Sequence, residues 1–595
     1  MPATNLPRSR AQESRAAVQR LYIAMRHLLI RGSYKPAGMS GKTLMDNLMI
    51  LRPEIYGSIA DEERVELNGL HYVMLRLPKG IEECRFVKLI TREGYENSPF
   101  EPIVAPKRRR NAYRIDASEV YIEITRGRSD IYDILTHLTF LYAEANKIYN
   151  NSLDNKGRPK REWALLERIV EQEARDEDFK LETAYTYLST LLGRTFDEVA
   201  AACKRFSRED GLNSLFHVTY WLGQLAKQEI ETDQDREISF SSALREKTGH
   251  HYYGELWARV CKDLLLEHDL LERPLHIISA NLHSVMNSLF GPAALAQKLR
   301  GKRTVLDTAR VLSTPEGRPL RQLVFKLAKA NGMIEVPDNS GSNIGVQLFD
   351  TAKFDPEVVS DDFGFEPASD PRQAPVLLVM DYAFGEQAYE SMDELLRPYH
   401  TPDPDDDRVF PMPVASINVM GKAGILEGVK GDLMIPNAHV FEGTADNYPF
   451  TNELTTEEFE GRGLSVYAGP MITVLGTSLQ NREILQYFLD SSWRAAGLEM
   501  EGAHYQKAIQ AATHIRKNID PEVKLRYAYY ASDNPLVTGH TLASGSLGVD
   551  GVLPTYLITG AFLAGIFSQS STPPAAGGSE AKAPGGRPRA AAAKA

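Results

Sequence analysis

The stretch GLEMEGAHYQKA (residues 497–508) sets two carboxylates, Glu499 and Glu501, on either side of a thioether, Met500, just after a glycine. Acids are favoured in a first helical turn, where backbone N–H groups are unpaired, so a helix start with Met500 in the core is the cheapest account. The same residues could instead hold a sugar. A carboxylate accepts hydrogen bonds from paired hydroxyls, and a thioether offers a polarizable apolar face. That second account needs support from elsewhere in the chain. Three further stretches offer it. GKAGILEGVKGDLMIP (421–436) is a glycine-rich strand end leading to Gly431-Asp432, and YAGPMITVLGTSLQN (467–481) is a strand followed by a polar loop. YASDNPL (530–536) ends an apolar strand with Ser532 and Asp533.

Other chemistry-bearing residues are scattered. The basic run at 107–110 could grip phosphates, but in an acidic chain it reads as a solvated loop. His250, His251, His268, His276 and His283 form no HxxxH pair with an acid at ligand spacing, so helix-surface or core roles are expected, with no metal. GMSGKTLMD (38–46) has the GKT of a phosphate-binding loop but lacks the earlier glycine and a clear preceding strand, which rejects the motif. His439 and His504 border the acidic stretches without an assigned role.

Periodicity outlines the elements that must position these residues. Apolar spacing over 12–31 predicts an amphipathic helix. Alternation over 70–92 and 112–125 reads as strands with a Pro-Lys-Gly turn. From SDIYDILTHLTF onward the period is largely helical to about residue 300. Residues 333–372 are rich in Asp, Pro, Gly and Ser and read as a linker or surface excursion. PVLLVMDYAFG (375–385) then reads as a parallel strand buried on both faces, followed by a helix, EQAYESMDELLRPY. VASINVMGKAG (414–424) and VKLRYAYYASD (523–533) repeat the theme of an apolar strand opening into a small-residue loop, the place where open α/β sheets bind ligands.

The expected layout is an N-terminal α+β region (1–150), a helical region (151–332), the linker (333–372), an α/β domain (373–568) and a disordered Ala/Gly/Pro-rich tail (569–595). A chain of 595 residues is too long for one ordinary core. Its 43% hydrophobic and 25% charged residues are ordinary for a soluble globular protein, and a net charge of -11 opposes binding to nucleic acid polymers or anionic membranes. Cys84, Cys203 and Cys261 are far apart and read as reduced thiols of a cytoplasmic protein. The N-terminus lacks an apolar core after its basic residues, so no secretory signal is expected. The apolar run at 552–567 is shorter than the roughly 20 residues of a membrane span and is broken by Pro554, Gly560 and Gly565, which predicts a buried C-terminal helix.

Taken together, the four stretches of the last third resemble the nucleoside phosphorylase and nucleosidase superfamily. Its members carry a G-[ST]-[AC]-G-[GA]-L loop followed by Gly-Asp, then an E-M-E-G/A-A helix start and an S-D loop. The resemblance spans roughly residues 373–566, and SDNPL is most similar to the AMP nucleosidase branch. It implies a mixed sheet with flanking helices. It also implies N-glycosidic cleavage of a purine nucleoside or nucleotide, a reaction that builds positive charge on the ribose and negative charge on the leaving base. In that family the S-D aspartate protonates or hydrogen-bonds purine N7, a role that falls to Asp533, oriented by Ser532. The second glutamate of E-M-E binds the ribose 2′- and 3′-hydroxyls, which falls to Glu501, with Met500 against the sugar and Glu499 in support. The 421–424 loop (Gly421, Lys422, Ala423, Gly424) becomes the base or anion contact.

The departures bear on mechanism. Lys422 stands where the family has Ser or Thr, and Ile425 replaces a small residue; a lysine there could bind a substrate phosphate or block the site. Arg397 and Arg408 are the only arginines between PVLLVMDYAFG and GKAGIL, and neither sits in a phosphate motif, which favours hydrolysis over use of inorganic phosphate. The resemblance further implies a homo-oligomer. An alternative remains open: a non-catalytic nucleotide sensor or scaffold with a degenerate phosphorylase-like domain.

Overall fold

The first helix shows how local chemistry fixes an element. Ser9 caps Arg10–Arg31, its hydroxyl accepting from the Gln12 N–H while the Gln12 side chain accepts from the Ser9 N–H, and Gly32 stops the helix in the left-handed region at φ 98°. The computed structural model describes residues 9–108, 110–206, 211–299, 304–401, 408–444, 446–537 and 547–570, with residues 569 and 570 by backbone alone. Arg109 of the basic run, and the expected tail beyond Ser570, lie outside these residues.

The N-terminal sheet contains β1 (Ser33–Tyr34), β2 (Phe86–Ile90), β3 (Ile103–Val104), β4 (Asn111–Arg114), β5 (Glu119–Glu123) and β6 (Glu237–Phe240). Their order is β1-β6-β2-β5-β4-β3. Because β6 pairs with β1 and β2, this sheet crosses the boundary expected at residue 150. The strand expected from residue 70 is instead a helix, Leu67–Met74, whose buried Leu67, Leu70, Val73 and Met74 follow helical spacing; only Phe86–Ile90 of the 70–92 stretch is strand.

The C-terminal sheet begins with β7 (Leu275–Ser279), β8 (Met333–Val336), β9 (Val346–Asp350) and β10 (Val376–Met380). A separate ribbon, β11 (Tyr399–His400) and β12 (Val409–Phe410), follows. The sheet resumes with β13 (Val414–Ile425), β14 (Leu433–Ile435), β15 (Ala438–Phe441), β16 (Asn447–Pro449) and β17 (Val466–Ala468). It ends with β18 (Met471–Thr473), β19 (Gly497–Glu499) and β20 (Lys524–Asp533). The main order is β16-β15-β18-β19-β13-β7-β10-β9-β8, with β20 against β13 and β14. The 333–372 stretch is therefore no linker. It supplies β8 and β9, which close the sheet edge antiparallel to β10. The helical region likewise contains β7, which pairs parallel with both β10 and β13.

Both faces of this sheet are covered, which is why its central strands read as continuous apolar runs. In β20, Tyr527, Tyr529 and Ala531 face a core built with Trp257, Met392, Tyr505 and Ile509, while Ala528 and Tyr530 face one built with Phe290, Val324 and Phe562. The Val552–Ser570 helix is long and apolar enough by composition to cross a membrane, yet Ile558, Phe562, Leu563, Ile566 and Phe567 are buried in that second core. A third core joins the two halves of the chain. It runs from Leu21 and Met25 through Tyr56 and Phe140 to Ile472, Leu498 and Met500.

Candidate functional site

β13 brings the sequence-predicted residues together. At Gly424 it pairs with Leu498 of β19 on one side and with Asp533 of β20 on the other. Neighbouring strands lie about 4.8 Å apart, so the start of the acidic stretch and the aspartate are roughly 10 Å apart across one glycine. Gly424 and Gly421 must lack side chains: a Cβ on the first would meet Leu498 at 2.9 Å, and one on the second would run into the Tyr529 ring. The S-D loop is tied back to β13. Ser532 Oγ donates to the Ala423 carbonyl at 3.0 Å and to the Asp533 carboxylate, and Asn534 Nδ2 donates to the Gly428 carbonyl at 3.0 Å. Asp432 pins the intervening turn by accepting from the N–H groups of Val429 and Ser465, both at 2.9 Å. Burial lowers the pKa of Lys422, and the Asp533 carboxylate opposes that shift, so the two charges feel one another.

The acidic stretch forms a buried cluster. Glu499 accepts from the Thr473 hydroxyl and from the backbone N–H groups of Glu501, at 2.5 Å, and Gly502, and so caps the Gly502–Gln510 helix. Glu501 accepts from Gly385 N–H at 2.9 Å and from Met500 N–H at 3.3 Å. Burial pushes Glu499 up to about 7; burial together with the neighbouring Glu499 charge pushes Glu501 up to about 8. Met500 is buried in the core shared with the N-terminal half, against which Phe384 and Leu536 also pack. The N-terminal half stands directly over this region. Arg108 lies 5.3 Å from the Phe384 ring centre, and Tyr72 Oη is 3.3 Å from Thr477 Oγ1.

Lys422 lines a different space, a cavity of about 340 Å³ between β13, β20 and the starts of the Leu282–Leu295 and Val552–Ser570 helices. His283, Arg321, Asn287, Tyr530 and Tyr556 share it, and none of its described lining residues is an acid. Asn287 donates to Tyr556 Oη at 2.9 Å, while its own Oδ1 is buried without a hydrogen-bond partner among the described residues. The structure thus joins Lys422 with Asp533, and joins Glu499, Met500 and Glu501 with one another. The two groups meet through the backbone at Gly424, while Lys422 and the glutamates occupy different surroundings.

A family model described as "Family of unknown function (DUF6909)" matches residues 42–300 and 310–568, most of the chain. The chain belongs to DUF6909. No curated protein matches it. Among solved structures, a futalosine hydrolase mutant of Helicobacter pylori strain 26695 is similar at a TM-score of 0.28 and 12% identity, covering 50% of this chain and 99% of that one. The 5′-methylthioadenosine/S-adenosyl homocysteine nucleosidase of Campylobacter jejuni gives a TM-score of 0.28 and 12% identity, with the same coverage. A purine nucleoside phosphorylase from Toxoplasma gondii, in complex with immucillin-H, gives 0.27 and 12%, covering 50% of this chain and 93% of that one.

The remaining candidates in this DUF6909 chain fall elsewhere. Arg108 and Arg110 of the basic run are drawn into the fold, while Lys107 is exposed. Arg108 donates to Asp133 at 3.0 Å, and Arg110 pairs with Asp133 at 2.5 Å and Asp130 at 2.9 Å, both acids lying on one face of the Gly127–Asn151 helix. Burial alone would raise Asp133, but Arg108, His137 and Arg110 hold it well below the carboxylate range. His276 and His439 are core residues bonded to Ser416 at 2.8 Å and Tyr529 at 2.9 Å, each held near pKa 3 by burial. Sequence reading gave no role to Gly385, Thr473 and Arg321, and read His283 as a helix-surface or core residue, whereas it lines the cavity. Gly385 had a usable signal, a glycine just past a buried strand; Arg321 had none, because it reaches the cavity from a helix inserted before β8.

Proposed function

We propose that the C-terminal α/β unit cleaves the N-glycosidic bond of a purine nucleoside or nucleotide. The observation that carries this is the pairing of Gly424 with both Leu498 and Asp533, which sets the aspartate loop and the buried glutamates on either side of one strand end. In this reading Asp533 gives a proton to the leaving base while water adds to C1′, so the base departs with a hydrogen and the sugar gains a hydroxyl. Glu501 faces the ribose hydroxyls, and as charge develops on the sugar its carboxyl is better ionised. Glu499 holds the stretch in place through Thr473 and the helix N–H groups. The cavity of Lys422, His283 and Arg321, free of acids among its described lining, suits an anion: a phosphate on the substrate, or inorganic phosphate if the reaction is phosphorolytic.

A second reading has its own support. The N-terminal half shares a core with Met500 and sets Arg108 over Phe384, as expected if the site binds a nucleotide and reports it rather than turning it over. The deciding experiment follows free base released from a panel of nucleosides and nucleotides, with and without phosphate. Release without phosphate, falling about a hundredfold or more in Asp533→Asn, is the expected result. Saturable binding with no release, unchanged in that variant, would establish the sensor instead.

A further inference from the structure

A second cavity, of about 310 Å³, lies at the seam between the Arg10–Arg31 helix, the start of the Gly127–Asn151 helix and the ends of β15 and β18. It includes none of Lys422, Asp533 or Glu501. Thr473 forms part of the partition: it lines this cavity while its hydroxyl donates to Glu499. The walls are aromatic, formed by Tyr22, Tyr132, Tyr389 and Phe441. Glu442 lies at its base, 1% exposed, and neither carboxylate oxygen has a hydrogen-bond partner among the described residues. Arg15 reaches only its backbone carbonyl, at 3.2 Å. Burial pushes the Glu442 carboxyl up to about 7, an effect that the nearby Leu475 N–H and the Arg15 charge offset only in part. The hydroxyl of Tyr132, itself 2% exposed, is likewise unpartnered among the described residues. The exposed residues Arg26 and Lys507 share the lining with Glu386, whose carboxylate is taken up by Arg128, and with the exposed Asp446; Lys507 Nζ lies 5.1 Å from the Tyr389 ring centre.

Buried polar groups left unpaired are costly, and two at one cavity point to a partner that supplies donors. Two exposed cations, flat aromatic walls and a buried unpaired carboxyl around one cavity suit a ligand with an anionic group, a stackable ring and ring N–H groups. We infer that this seam cavity is a second binding site that takes a mononucleotide. The phosphate meets Arg26 and Lys507, the base lies among the tyrosines, and the N–H edge of the base meets Glu442. The volume agrees with a small-ligand pocket of about 300 Å³ or more.

The test is calorimetric titration of the full chain with AMP and GMP, against adenosine, guanosine and inorganic phosphate. It is run in the Asp533→Asn background so that turnover, if present, does not consume the ligand. Three forms are compared: the background, one adding Arg26→Ala with Lys507→Ala, and one adding Glu442→Leu. At the seam site nucleotide affinity should fall about tenfold or more in the first addition and be lost in the second, while binding at the Gly424 site, of nucleosides included, is unaffected by either. The charge-removing variant changes only exposed residues, so it keeps the test valid should Glu442→Leu fail to fold. Absence of saturable nucleotide binding, binding equally tight in the variants that fold, or phosphate binding as tightly as the nucleotides would overturn the proposal. Because binding is read, the result stands apart from whether any base is released.

Discussion

At the scale of single residues, burial raises the pKa of several acids toward neutrality. Burial raises Glu144, Glu442 and Glu499 to about 7, and raises Glu390 and Glu501 to about 8 with help from the neighbouring charges of Glu386 and Glu499 respectively. Each group binds its proton more tightly folded than unfolded. Its contribution to stability is therefore complete below the unfolded value of about 4.5 and lost as pH rises through 7 to 8. His276, His439 and His504 act oppositely: burial holds them near 3, 3 and 4, so their contribution is present above about 6.5 and lost toward acid. Lys262, lowered to about 8 by burial, adds stability only above that value. Between pH 6.5 and 8 the acids alone act. The melting temperature should fall over that interval, and Glu390→Gln should flatten the decline. A scanning-calorimetry series that is level or rising there would contradict the assignment of these groups.

At the scale of elements, close approach decides what the candidate site tolerates. A Cβ on Gly502 would run into the His439 ring and meet Tyr529 Oη at 2.6 Å. Neither can yield, because His439 and Tyr529 bond each other at 2.9 Å and the imidazole is stacked on Phe450. Gly502→Ala should cost about 1–3 kcal/mol, seen as a lower denaturation midpoint; an unchanged midpoint would mean that the helix start can shift.

The elements around this site were legible where they were long and regular. The helix 10–31 and the strands β10, β13 and β20 follow from apolar patterning, and the last two carry the loops that meet at Gly424. β8 and β9 were illegible because strands of four and five residues cannot outweigh the Asp, Pro and Gly around them, and β7 was masked by the helices that flank it. LHYVMLRL alternates well enough to suggest a strand, yet its apolar residues also lie on one helical face, and packing chose the helix. The fate of Arg108 and Arg110 depended on Asp130 and Asp133, twenty or more residues away, which no local pattern connects to them.

At the scale of the whole molecule, the halves are interlocked by polar contacts as well as by the shared core. Arg128 makes a two-point ion pair with Glu386 at 2.6 and 3.0 Å, Asn481 Nδ2 donates to the Leu51 carbonyl at 2.6 Å, and Glu54 N–H donates to the Gln480 carbonyl at 3.0 Å. Arg128→Ala would leave Glu386 unpaired beside Glu390. Breaking such a partly buried pair should cost about 3 kcal/mol and lower the midpoint of a single unfolding transition. Two separate transitions in the unaltered protein would show that the halves do not melt together.

The shared core also has a consequence for synthesis. The Arg10–Arg31 helix packs most extensively on the neighbouring Met39–Leu51 helix and then also on the helix Arg482–Asp490, with an ion pair from Arg10 to Glu483 at 3.0 Å. More than four hundred and fifty residues must leave the ribosome before that partner exists. At roughly 5–20 residues per second this contact forms on the order of half a minute after the Arg10–Arg31 and Met39–Leu51 helices can pair. The two halves of the shared core therefore meet late, on a helix pair that is already in place.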